Sequence, residues 1–283
     1  MRSIRALGPR ARLAPRGWLV LTLLFALGPL AWMAALSLKS PGEIFTAEPR
    51  LLPLRVNAAA NYQRALTRVP LVRSLINGGV VCAAILGLQV LTAAPCAYAL
   101  ARLRFRGARA LFGLVLLATV IPHQALAVPL YLLFWRAGLL DSYAALILPY
   151  AVSPFAIFLL RQAFLTVPDD VIHAARLDGL GDWAILWRVM VPAARPALGA
   201  FAVFAIVSHW NELFWPLIAI RSTHLATPAL SVVFFRSQEV GTDVAPLMAA
   251  AVTIAAPLIV VFLVSQRWFL ADVTRTAKEG APR

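Results

Sequence analysis

The chain has 283 residues, 61% of them hydrophobic and only 13% charged, and its 26 Lys and Arg against 12 Asp and Glu leave a formal net charge of +14. An average soluble domain is about 25% charged, and a disordered chain needs low hydrophobicity, so both classes are excluded. A soluble nucleic-acid binder is basic but polar enough for water, which leaves an integral membrane protein with its positive charge collected in the loops on one side.

Crossing the hydrocarbon core takes about 20 mostly apolar residues. Six stretches qualify: Trp18–Leu38, Leu75–Leu100, Leu111–Tyr131, Tyr143–Leu160, Leu198–Ile220 and Pro246–Gln266. Of all the charged residues in the chain, only Glu212 falls inside them. The first stretch follows five arginines, as a secretory signal would, but its 21-residue apolar run exceeds the 7–15 of a signal peptide and reads as an uncleaved anchor. The predicted fold is an all-α integral membrane protein of six transmembrane helices.

Orientation follows from the basic residues. Segments 1–17, 101–110, 161–197 and 267–283 share one side and carry 17 of the 26 Lys and Arg, while 39–74, 132–142 and 221–245 carry 9. The first set, and both termini with it, is therefore expected to be cytoplasmic. Arg102, Arg104, Arg106 and Arg109 crowd into the short turn between the second and third spans. The predicted layout is a basic N-terminus (1–17), a first helix (18–38), an outer loop (39–74), a five-helix core (75–266) and an inner tail (267–283). Within the core, the inner loop 164–198 is long enough to have structure of its own.

Several chemistries have no motif here. There is no phosphate loop of the G-x-x-x-x-G-K-[ST] type, and the only lysines, Lys39 and Lys278, do not follow a glycine. Neither an H-E-x-x-H pair nor a G-x-S-x-G elbow occurs. His123, His173, His209 and His224 are scattered, so neither a metal cluster nor a catalytic constellation is expected. Cys82 and Cys96 sit on one predicted helix about 21 Å apart, too far to bridge, and read as small buried apolar side chains.

The 164–198 loop carries the most information. Pro168-Asp169-Asp170 is a helix start whose acidic first turn suits the free N–H groups and the dipole. The helix runs through His173-Ala174-Ala175-Arg176-Leu177-Asp178 to Gly179, which permits a left-handed cap. A second start at Asp182 places Trp183, Leu186, Trp187 and Met190 at helical spacing before Val191-Pro192. Small Ala174 and Ala175, with Arg176 and Asp178 at the rim, have the make-up of a helix that docks in a partner's groove. An amphipathic helix resting on lipid headgroups has the same composition.

The run His173-Ala174-Ala175-Arg176-Leu177-Asp178-Gly179, with Trp187 and Met190-Val191-Pro192 downstream, resembles the EAA loop of ABC importer permeases. Asn61-Tyr62, Arg73-Ser74-Leu75-Ile76-Asn77, Ala97-Tyr98-Ala99-Leu100-Ala101-Arg102, Ile121-Pro122, Pro129-Leu130-Tyr131, Phe158-Leu159-Leu160-Arg161 and Trp210-Asn211-Glu212 match in order. Over roughly residues 15–270 the chain resembles the smaller permease subunit of carbohydrate importers of the maltose and glycerol-phosphate type.

The resemblance implies a type I importer permease fold in a bacterial inner membrane. It implies that His173, Ala174, Ala175, Arg176, Asp178, Gly179 and Pro192 belong to the coupling element that meets a separate ATPase. It further implies a second permease subunit, two ATP-binding subunits and a periplasmic solute-binding protein as partners. The chain itself would bind no cofactor and catalyse no reaction, with ATP used by the partner subunit. Two departures stand out: His173 replaces the usual Glu, and the tail after Trp268-Phe269 lacks the usual glycine-rich run.

An ionisable residue inside a span is a functional candidate by default. Glu212, with His209, Trp210, Asn211 and Trp215, offers the aromatic faces and hydrogen-bonding groups that hold sugars. The alternative is that Glu212 pairs with a neighbouring helix and the tryptophans sit at the membrane interface. His123, Gln124 and Tyr131 on the third span form a second candidate set. Pro122, Pro129 and Pro216 can bend helices and free carbonyls, which in membranes is also ordinary packing. The expected function is that of an importer permease for a sugar or polyol-phosphate, with an amino acid or peptide as the alternative cargo. A self-contained secondary transporter needs midplane ion groups and often repeats, and one acid with no visible repeat argues against it.

Overall fold

The computed structural model describes residues 9–46, 50–237 and 244–279. The first eight residues of the basic N-terminus, parts of the 39–74 and 221–245 loops and the last four residues lie outside them. So do the side chains of 1–17 and of the 267–283 tail. The described residues are all helical or irregular, without strands. In chain order the helices are α1 (Pro9–Leu38), α2 (Ala58–Arg68), α3 (Leu71–Arg102), α4 (Ala108–Val120), α5 (Ala127–Arg136), α6 (Tyr143–Ile147) and α7 (Pro154–Leu165). There follow α8 (Asp169–Leu177), α9 (Asp182–Ile185), α10 (Val191–Ala193), α11 (Arg195–Trp210), α12 (Phe214–Ala219), α13 (Pro228–Ser237) and α14 (Val244–Glu279).

Three helices are long and apolar enough to cross a membrane unbroken, at Leu21–Leu38, Leu71–Arg102 and Val244–Gln266; counting bent pairs as single spans raises the number to six. Within the expected spans Leu111–Tyr131, Tyr143–Leu160 and Leu198–Ile220 the helix is bent or interrupted. The first bends by 92° between Ala108–Val120 and His123–Arg136, and the second by 46° between Tyr143–Tyr150 and Pro154–Leu165. In the third, α11 stops at Trp210 and α12 restarts at Phe214. The cause is proline chemistry. Pro122 and Pro154 push the residue before them out of the helical region. Pro216 has no N–H, and its ring clashes with the carbonyl four residues back, at Glu212. Pro129 lies near the start of α5, where its missing N–H costs nothing, and the helix continues through it.

The chain divides into two compact units. The first comprises residues 1–69 and 234–255. In it, Asn61 of α2 is fully buried and its amide donates to Ser37 O at 2.9 Å and Lys39 O at 2.8 Å, satisfying carbonyls left open at the end of α1. Tyr62 Oη lies 3.3 Å from Ser37 Oγ. Glu43 accepts from Ser40 Oγ at 2.7 Å, Leu54 N at 2.8 Å and Arg55 N at 3.2 Å. The Ser40 hydroxyl, helped by these backbone N–H groups, holds the Glu43 carboxyl below the usual range. The 39–74 loop is therefore tied by polar contacts between α1 and α2.

The second unit, residues 70–233 and 256–283, is built on α3. This helix is about 48 Å long at 1.5 Å per residue, and α7 and α11 pack along it. Ala93, Ala94 and Ala97 are wholly buried. Lipid tails are as apolar as any side chain, so helices in a membrane gain from close van der Waals approach, which small residues permit. Asn77 Nδ2 donates to His224 O at 2.9 Å and Ala226 O at 3.0 Å and pins the segment after α12, while Tyr143 Oη donates to Asn77 Oδ1 at 2.6 Å. Asp141, at φ 56°, accepts from the N–H groups of Arg221 and Ser222, both at 3.0 Å, and from the Ser222 hydroxyl. Partial burial raises the Asp141 pKa, but the Ser222 and Arg221 hydrogen bonds outweigh it and leave the carboxyl below its ordinary value.

A Cβ at Gly78 would lie 2.5 Å from Pro228 Cγ and 3.2 Å from Trp210 Cζ3, so this position admits no side chain without repacking. Gly78→Val is expected to destabilise the protein by about 1–3 kcal/mol, the usual cost of overpacking. A thermal melt of the purified protein in detergent should show it, and an unchanged midpoint would mean that α3 does not approach Pro228 so closely.

Candidate functional site

The 164–198 loop is ordered. Asp169 and Asp170 stand in the first turn of α8, as its N-terminal dipole favours. At its other end Gly179 has φ +80°, Gly179 N donates to Arg176 O at 3.0 Å and Leu180 N donates to Ala175 O at 3.1 Å. This is the Schellman cap that the glycine permits. After it, α9 continues through a π turn at Leu186–Met190 into α10, and a 77° bend separates Asp182–Ala193 from Arg195–Trp210. Pro192 lies half-buried just before that bend.

One face of α8 belongs to the chain's own core. Ile172 and Ala175, three residues apart, are buried with Phe164, Ile185, Leu186, Met190, Ala97 and Tyr98. Ala175, expected on the docking face, is 7% exposed and points inward, because helical spacing puts it beside Ile172. His173, Ala174, Arg176, Asp178 and Gly179 are exposed, and Leu177 is 89% exposed. Arg176 is already engaged: its guanidinium donates to Asp182 Oδ1 at 3.1 Å, which pushes its pKa further up.

Two side chains absent from the expected site tie this loop to α3, and a third ties α7 to it. Tyr98 Oη donates to Asp182 Oδ1 at 3.0 Å. Arg102 donates to Asp169 Oδ1 at 2.5 Å, to Phe164 O at 2.6 Å and to Val167 O. Arg161 of α7 donates to Leu100 O at 3.2 Å and lies 4.0 Å over the Phe112 ring. The arginine-rich turn points by its charge only to orientation; Arg102 is instead a buried tie with 10% of its side chain exposed.

Some of the pathway candidates come together in the second unit. His209 and Tyr150 stack edge to face with ring centroids 4.8 Å apart, and His123 lies 5.8 Å from Tyr150. Gln89 of α3 donates to Tyr150 O at 2.9 Å and approaches His209 Nε2 at 3.2 Å. Since the Gln amide nitrogen is a donor, this contact makes Nε2 the unprotonated ring nitrogen. Gln89 is 4% exposed, and its Oε1 has no partner among the described residues. His123 and Tyr150 flank helix breaks and His209 is one turn before another, so the breaks meet at one polar point.

The other candidates do different work. Glu212 Oε1 accepts from Phe214 N at 2.9 Å and Trp215 N at 3.3 Å, capping α12 rather than pairing with another helix. Trp215 is buried and donates from Nε1 to Ala145 O at 2.8 Å, and Trp210 is buried beside Gly78. Asn211 is exposed and donates to Val207 O at 2.8 Å. Gln124 is exposed in the turn before α5, and Tyr131 accepts from Arg221 at 3.4 Å. Gln89 and Tyr150 are the members that sequence reading missed; an amide at the middle of an apolar span was the available signal.

Residues 89–275 match the family described as "Binding-protein-dependent transport system inner membrane component", and the chain belongs to that family. It is therefore a transport permease of the inner membrane. It is 34% identical over 183 residues to the arabinooligosaccharides transport system permease protein AraQ of Bacillus subtilis, covering 65% of each chain. It is 33% identical over 262 residues to the diacetylchitobiose uptake system permease protein NgcG of Streptomyces coelicolor, covering 91% of this chain and 85% of that one. A crystal structure of a bacterial ABC transporter involved in the import of the acidic polysaccharide alginate superposes with a TM-score of 0.82 at 25% identity, covering 95% of this chain and 100% of that one.

No atom lies within 4 Å of a Cβ built on Gly179, so a substitution there meets backbone strain and no clash. Gly179→Val should cost about 1–3 kcal/mol of local stability, and Gly179→Asn much less because Asn tolerates the left-handed region. Hydrogen exchange at Asp178–Leu180 should be faster in the Val variant alone, and equal protection in both would contradict the cap.

Proposed function

We propose that this permease is one of two membrane subunits of an ATP-driven importer that moves a sugar or polyol-phosphate by alternating access. The observation that carries the reading is α8: a short helix with an inward face locked in the core and an outward face of His173, Ala174, Leu177 and Asp178 left uncovered. Family membership and the carbohydrate cargo of the relatives support it. In this reading both termini and α8 are cytoplasmic and ATP hydrolysis occurs on a separate subunit that seats α8. A periplasmic binding protein delivers the solute. ATP-driven closure displaces α8, and the equilibrium between inward- and outward-open states shifts by the differential affinity of the motor for the two.

The solute path in this proposal runs past the polar point of Gln89, Tyr150, His209 and His123. Broken helices at membrane depth are tolerated where their free backbone groups line a cavity or are buried in protein, and transporters use both. Glu212 contributes by holding the start of α12 in place.

Two experiments test this. Leu177→Arg puts a charge at the centre of the docking face; the permease should still reach the membrane but no longer co-purify with its ATPase subunit, and retained co-purification would sink the docking assignment. Glu212→Ala removes the α12 cap, worth about 0.5–2 kcal/mol. Transport in proteoliposomes should lose rate with substrate preference unchanged, whereas an altered preference would make Glu212 a direct solute contact.

A further inference from the structure

The family resemblance includes Ala97-Tyr98-Ala99-Leu100-Ala101-Arg102, and the structure gives that stretch a job. Tyr98 and Arg102 are four residues apart on α3, hence on one face, one turn above the other. Arg102 holds the beginning of α8, through Asp169 and through the carbonyls of Phe164 and Val167 that end α7. Tyr98 holds the other end: its hydroxyl donates to Asp182, and the same carboxylate oxygen receives Arg176 from the last turn of α8. One face of one helix thus grips both ends of the exposed helix.

We infer that Tyr98 and Arg102 are the positioning residues through which displacement of α8 moves α3. The inference rests on the proposed docking role of α8 and adds the path of transmission. Apolar packing of Ile172 and Ala175 also joins α8 to the core, but it is non-directional and lets the helix slide or roll. Hydrogen bonds at both ends remove that freedom, because each has a donor, an acceptor and an angle to keep. Arg102 is suited to this role because its planar fork holds a carboxylate on one nitrogen and two carbonyls on the other in fixed directions, whereas a lysine would have to serve all three from a single rotating nitrogen. Its side chain is 10% exposed against 74% for Asp169, so the two carbonyl bonds are the shielded ones and the ion pair is the wet one. Asp182 serves both partners from the first turn of α9, so the second half of the loop moves with the first.

The test uses the whole transporter in proteoliposomes, with solute uptake and ATP hydrolysis measured together and normalised to assembled permease. Tyr98→Phe deletes one hydroxyl and keeps the ring that packs in the core. Arg102→Lys keeps the charge and loses the fork. Each variant should retain the ATPase subunit and hydrolyse ATP, while solute imported per ATP falls on the order of 10-fold, the scale of one hydrogen bond to a charged group. An unchanged ratio in both variants would overturn the inference, and so would loss of uptake and hydrolysis in equal proportion, which marks a structural role only. Leu177→Arg separates this from the docking proposal: its readout is loss of the ATPase subunit, whatever the uptake ratio of the other two.

Discussion

A backbone inside hydrocarbon has no water to complete its hydrogen bonds, and each unmet group there costs several kcal/mol. This permease breaks its helices at membrane depth, so every break needs a donor or acceptor from elsewhere in the protein. Much of that supply comes from α3. Gln89 donates to the carbonyl of Tyr150 and Thr92 to that of Ala151 at 3.0 Å, both at the break before Pro154, while Asn77 and Arg102 serve loop carbonyls near the two ends of α3, those of His224 and Ala226 and those of Phe164 and Val167. The polar residues of an otherwise apolar helix serve the ends of its neighbours. Glu212 and the indole of Trp215 complete the arrangement at α12 and α6.

The energetic order follows. Burial of apolar area, which drives the folding of soluble domains, contributes little between helices already surrounded by lipid. Close approach at Gly78, Ala93, Ala94 and Ala97 and the hydrogen bonds radiating from α3 then determine where α7, α11 and the half-helices sit. A glycine with a proline ring 2.5 Å from its missing Cβ and an amide that holds two carbonyls are worth more here than another leucine.

The spans and the exposed loop are legible in the sequence because charge is so costly in hydrocarbon that its absence marks the membrane, and because Asp169-Asp170 and Gly179 are explicit helix punctuation. The breaks are less legible. Pro122, Pro154 and Pro216 stand in runs as apolar as any intact span, and proline is tolerated in membrane helices whenever a neighbour satisfies what it frees. Whether that neighbour exists is tertiary information: Gln89 and Tyr150 are 61 residues apart. Ala175 misleads for a similar reason. Its small size fits a docking face or a tight core, and only the packing of Ile172 beside it decides. Glu212 reads as a charge seeking a partner across the bundle; with the helix broken at Asn211–Leu213, the nearest unmet donors are the N–H groups of the half-helix it begins.

Force applied at α8 has a physical route to a solute. From Arg102 to Gln89 is 13 residues, about 20 Å along an unbroken helix. One end of that length grips the exposed loop, and the other holds Tyr150 and His209 where broken helices meet. A helix is stiff along its axis, whereas a break is where backbone angles change most easily. In the proposed mechanism, displacement of the loop passes along α3, whose one interior proline, Pro95, lies between Arg102 and Gln89, and is absorbed there and at the breaks around it. The polar contacts at those points are few and short-ranged, so a shift of an ångström or two is enough to exchange them. In that mechanism a continuous helix with broken helices beside it links the exposed loop to the polar point, and Pro95 is the place where α3 itself can bend.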